Sequence, residues 1–166
     1  MGRASGDGTE LSAGVVVNAA GPWSGQLNRL AEVGGDFTVG LRSLRQEVHH
    51  VAGTQVTLAA RRMPGLRVPN KPHGVAGVYD VTDDRTPVYA RTDLDGLYVA
   101  IGTSGNKFKH APLVGRLTTT LIHGVEGGHD HDRSGLTHTY EHTGQTIDLG
   151  TFSRRRRPAS STGTVL

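Results

Sequence analysis

The chain has 166 residues with 35% hydrophobic and 5% aromatic side chains, 24 glycines, no cysteine and a formal net charge of +3. This is one domain's length with a thin core and about twice the usual share of glycine, which suggests much loop or a backbone moulded around a ligand. The absence of cysteine excludes disulfides, thiolate zinc sites and a thiol nucleophile, and the positive excess is confined to Arg154–Arg157, so no nucleic-acid surface is expected.

In chain order, MGRASGDGTELSAG lacks the apolar stretch of a secretory signal, and no apolar run approaches the ~18 residues of a membrane helix. A soluble, cytoplasmic protein is expected. AGVVVNAAG, residues 13–21, carries the β-branched run Val15–Val17 and predicts a strand buried on both faces, as in a parallel sheet. GPWSGQLNRLAEVGG follows, with Leu27, Leu30, Ala31 and Val33 as a short helical face closed by Gly34 and Gly35.

Residues 44–52 alternate and predict a strand with mixed faces, and 61–74, with three prolines, predict an irregular connection. GVAGVYDV, TPVYAR and GLYVAIG then read as an antiparallel meander, turned at Asp83–Arg85 and at Asp95-Gly96. Next comes GTSGNKFKHAP, residues 102–112, two glycines around Thr-Ser and then two lysines around Phe108. Its order is wrong for a phosphate-binding P-loop. Pro112 suits the first turn of a helix whose apolar face is Leu113, Val114, Leu117, Leu121 and Ile122, with Gly124 as its stop.

The glycine loop thus lies between a strand end and a helix N-terminus, where free N–H groups and the helix dipole favour an anion or an electron-rich ring edge. From Glu126 the chain reads as loop, the last dozen residues as disordered, and the arginine run as a solvated tail. His129, His131, His138 and His142 have spacings that metal ligands use, but GGHDHDRSG reads as a polar loop without preorganisation, and no metal site is expected.

VVVNAAGPWSGQL, followed by GVYDVTDDRTPVYARTDLDGLYVAIGTSGNKFKHAPLVGRLTTTLI and the closing TIDLGTFSRRR, resembles the C-terminal half of the FAD-dependent oxidoreductases of the D-amino-acid oxidase type, which include glycine oxidase, sarcosine oxidase and dimethylglycine dehydrogenase. The resemblance implies FAD as cofactor and Ala20, Gly21 and Trp23 as its lining. It implies backbone contacts to the flavin ring from Gly102, Thr103, Ser104, Gly105 and Lys107, with Phe108 beside them. Lys109 would meet a substrate carboxylate, and Tyr79 would lie on the substrate side. The implied reaction is oxidation of the C–N bond of a small amine or amino acid by hydride transfer.

The family's dinucleotide-binding G-x-G-x-x-G does not occur here; the glycines of GDGTELSAG precede the strand instead of following it. The expected fold is therefore α+β, an incomplete α/β FAD domain (13–35 and 97–125) with an antiparallel substrate-side sheet (40–96) and a loop-rich 126–166. A partner chain supplying the rest of the FAD domain is expected, with a non-catalytic fragment or binding module of the same fold as the alternative.

Overall fold

Strand β1 (Val16–Asn18), helix α1 (Ser24–Leu30), strands β2 (Leu41–His49), β3 (Gly74–Thr82), β4 (Val88–Arg91) and β5 (Leu97–Ile101), helix α2 (Ala111–Glu126), and strands β6 (Thr137–Thr139) and β7 (Thr146–Asp148) follow one another along the chain. They come from a computed structural model that describes residues 8–49, 61–65, 74–105 and 107–158. Short 3-10 turns occupy Gly21–Trp23, Phe108–His110 and Leu149–Phe152. Helices and small sheets share the chain, an α+β protein. It divides into two compact units, Met1–Ser43 with Tyr79–Leu166, and Leu44–Val78.

The central sheet has the order β1-β5-β4, with β1 parallel to β5 in the register Val16↔Leu97 to Asn18↔Val99, and β4 antiparallel to β5. Side chains alternate across it with period two. Val88, Ala90, Val99 and Ile101 point to one face, where Val39 covers them with Phe37 and Leu41. Tyr89 and Ala100 point to the other, against Leu113, Val114 and Leu117 of α2 and Leu149 and Phe152 near the C-terminal end. The expected apolar face of α2 is the one that packs: Leu117 and Leu121, four residues apart, are buried.

Several expectations are corrected. β1 is not buried on both faces: Val17 is 39% exposed, because this three-residue strand has β5 as its one neighbour among the described residues. The meander is interrupted, since β3 pairs with β2 while β4 pairs with β5. Between β3 and β4 the chain turns on itself, with Arg85 at φ 58° and Thr82 Oγ1 donating to Thr86 O at 2.8 Å, which breaks the ladder. Gly124 does not stop α2, which runs to Glu126; a Cβ there would lie 2.5 Å from Leu136 Cδ1, so the missing side chain admits Leu136. Within 126–158 lies a hairpin, β6 with β7. The predicted strand at 44–52 is seen through residue 49; residues 50–60 and 66–73 lie outside the described set.

The arginine run is not a solvated tail. Arg154 is 1% exposed, its Nη2 reaching Asp36 at 2.8 Å and Asp132 at 3.0 Å while its Nη1 donates to the Arg91 carbonyl. Arg155 also donates to Asp36, and Arg156 pairs with Asp84 at 2.8 Å. Thr38 N–H closes the clasp on the Arg154 carbonyl at 2.9 Å. Four consecutive cations are ordinarily solvated. Here acids far away in sequence receive three of them, Asp36 lying 118 residues from Arg154 and Asp84 72 residues from Arg156, a pairing that local pattern cannot reveal.

Candidate functional site

Because β1 and β5 are parallel, their carboxyl ends lie side by side at one edge of the sheet. The turn Ala19–Trp23 leaves β1 there and the loop Gly102–Lys107 leaves β5 there. Ligands of parallel α/β sheets sit outside the carboxyl ends of the strands.

The first turn is organised by Asn18, which is 5% exposed. Its Nδ2 donates to Ser24 O at 3.0 Å and Asn28 Oδ1 at 2.8 Å, and its Oδ1 accepts from Ala20 N at 3.1 Å. With these bonds made internally, the turn directs uncommitted surface outward. Gly21 has φ 55° and open space where a side chain would stand, and Trp23 is 60% exposed.

The second loop is held by two consecutive residues at the end of β3. The Asp80 carboxylate, 1% exposed with its residue, accepts from Gly102 N at 2.5 Å, from Thr103 N at 3.2 Å and from Thr103 Oγ1 at 3.0 Å. The Asp80 carbonyl accepts from Ser104 N at 2.9 Å. The Tyr79 ring lies 3.2 Å from where a Gly105 Cβ would be. Gly102, Ser104 and Gly105 all have positive φ, a curl that buried polar bonds must fix for the non-glycine Ser104. Tyr79 and Gly105 are thus in contact, and the N–H groups of Gly102, Thr103 and Ser104 are taken by Asp80.

β2 bridges the two turns from one face. Leu41 Cδ1 is 3.5 Å from the position of a Gly102 Cβ, and Ser43 Oγ, two residues on, donates to Pro22 O at 3.1 Å. Lys107 is half-buried, while Phe108 and Lys109 are exposed on the 3-10 turn that opens α2. No side chain caps that helix start.

Asp80 is the residue that sequence reading missed. An aspartate inside a strand, where its type is depleted, was the available signal. It acts on Tyr89 as well: burial and then the Asp80 charge push the Tyr89 hydroxyl up to about 12, so that phenol stays protonated near neutrality. A groove lined by Gly14, Arg91, Asp95, Tyr98 and Glu126 lies at the amino end of β5 and includes none of the expected residues. Burial and the Glu126 carboxylate raise Tyr98 there.

Among the described residues no group of three or more His, Asp or Glu side chains could hold a metal. His131 is buried and accepts from Leu136 N at 3.3 Å, and His138 bonds Thr120 Oγ1 at 2.8 Å, which gives both histidines packing roles. Among the described residues, no helix is long and apolar enough to cross a membrane.

Comparison with known proteins found no match among curated proteins and none among solved structures. Comparison with known families matches residues 33–121 to DAO, described as FAD dependent oxidoreductase. That segment includes Tyr79, Asp80, the Gly102–Gly105 loop, Lys109 and most of α2, and leaves Ala20, Gly21 and Trp23 outside it. The match spans more than half of the chain, and the cofactor of that family is FAD. The chain belongs to the family of FAD-dependent oxidoreductases.

Proposed function

We propose that the chain takes part in oxidation of the C–N bond of a small amine or amino acid, with FAD held at the carboxyl edge of the central sheet. The observation that carries this is the parallel pairing of β1 with β5, which sets the turn at Gly21 and the glycine loop Gly102–Gly105 at one edge. The residues there fit a flat ring: open backbone at Gly21 and exposed aromatic surface at Trp23 and Phe108.

In this reading Ala20, Gly21 and Trp23 line one part of the cofactor. Gly102, Thr103 and Ser104 give the loop its shape, since Asp80 occupies their N–H groups. Gly105 and Phe108 stand toward the ring, and Tyr79 backs Gly105 as a wall of the substrate side. Lys107 and the start of α2 supply positive potential at the ring edge. Lys109 binds the substrate carboxylate. FAD, when bound, would supply the acceptor for a hydride from the carbon next to the amine.

Titration of the purified chain with FAD, followed by quenching of flavin fluorescence, tests the reading. Saturable binding and a yellow protein are expected; no uptake at any FAD concentration overturns binding by this chain alone. A partner chain is a second reading, favoured by the exposed Val17, Leu27 (43%) and Leu30 (82%) along β1 and α1. It predicts FAD uptake only after the partner is added.

A further inference from the structure

At Gly102 the backbone is pressed into a corner. A Cβ there would lie 2.4 Å from Thr82 Cγ2 and 3.7 Å from Pro87 Cα. Thr82 and Pro87 flank one turn, and that turn braces itself: Thr82 Oγ1 donates to Thr86 O at 2.8 Å and Thr86 N to Asp84 Oδ1 at 3.0 Å. One guanidinium adds donors to four acceptor atoms of this turn. Arg156 Nε reaches Asp84 Oδ2 at 2.9 Å, and its Nη2 reaches Asp84 Oδ1 at 2.8 Å and Thr86 O at 2.6 Å. Its Nη1 donates to Pro87 O at 3.1 Å. The two side chains are 8% and 1% exposed.

We infer that Arg156, near the far end of the chain, is a positioning residue for the Gly102–Gly105 loop. It fixes the Asp84–Pro87 turn, the turn fixes the wall against which Gly102 packs, and the wall sets how the loop meets the cofactor. The last step rests on the flavin reading above. Only a planar fork reaches four acceptors in these directions; a lysine ammonium is a point charge with three donors and cannot make all of these bonds at once. The contacts run through adjoining buried groups in one compact unit, so the effect is local.

The test uses the full chain and R156K, with D84N as the second variant where R156K does not fold. Amide hydrogen exchange of Gly102, Thr103 and Ser104 is compared with that of Leu117–Leu121 in α2, and FAD affinity is measured in parallel. The inference expects the loop amides to exchange about tenfold faster, the α2 amides to keep their rates, and FAD affinity to fall about tenfold. Unchanged loop exchange overturns it. So does an equal acceleration at every amide, which marks a merely structural arginine. Faster loop exchange with unchanged FAD affinity overturns the link to the cofactor. If the unaltered chain takes up no FAD, the functional reading falls, and the exchange rates alone decide whether Arg156 positions the loop.

Discussion

Two oxygens of Asp80 receive three donors from the loop, so any change of acceptor count is felt at once. In Asp80→Asn one oxygen becomes an NH₂ facing N–H groups. The loss expected is about 1–3 kcal/mol, read from urea unfolding, with weaker FAD uptake. Lys109 is exposed and meets substrate only in the proposed complex. Lys109→Met is expected to raise KM for a carboxylate substrate about tenfold while kcat changes little, the pattern of lost uniform binding. An equal fall in kcat would place Lys109 in the chemistry instead. At this scale the glycines and lysines of the loop stood out in the sequence. The clamp did not, because Asp80 lies more than twenty residues upstream in a strand and only folding brings it beneath the loop.

Among elements, α2 was readable because its apolar face repeats at helical spacing and Pro112 marks its start. Its end was misjudged for a steric reason: Gly124 looks like a stop when only the local chain is considered, yet it is the gap that Leu136 fills. Gly124→Val is expected to destabilise the protein by about 1–3 kcal/mol, measured by thermal unfolding, although most residues favour a helix more than glycine does. A rise in stability would show that Leu136 moves aside freely. The strands of the central sheet were foreseen from alternation and turn residues, but their partners were not. β1 joins β5 across about eighty residues, and neither segment encodes the other's edge.

For the molecule as a whole, the C-terminal clasp ties the connection at Asp36–Thr38 and the turn at Asp84 to the last described residues. Arg154→Met removes the buried cation that joins Asp36 to Asp132, leaving Asp36 with Arg155 and Asp132 with Arg91 at 3.8 Å. Breaking such a buried network is expected to remove about 3–5 kcal/mol of stability in chemical unfolding. Acid acts on the same region in two stages. His131 has its pKa lowered from 6.5, first by burial, so the folded state binds fewer protons than the unfolded one. The stability it contributes is complete above that value and declines as pH falls below it. Burial raises Asp36, but hydrogen bonds from Arg155 and Arg154 outweigh it and hold the carboxyl below 3.8; its contribution is present above that value and fades at more acidic pH. Urea unfolding across this range is expected to show both stages, and His131→Gln to remove the first. A profile unchanged by that substitution would assign the first stage to another group.

The sequence by itself determined the mixed α and β character, the helix after the glycine loop and the likeness to flavin-dependent oxidoreductases, because these depend on local periodicity, turn chemistry and residues contiguous in the chain. Only the tertiary structure decided which strands pair, that Asp80 occupies the loop's N–H groups and that Arg154 and Arg156 of the arginine run form a buried clasp. Each of those depends on a donor meeting an acceptor, or an edge meeting an edge, from distant parts of the chain, and no local pattern records which partner will be there.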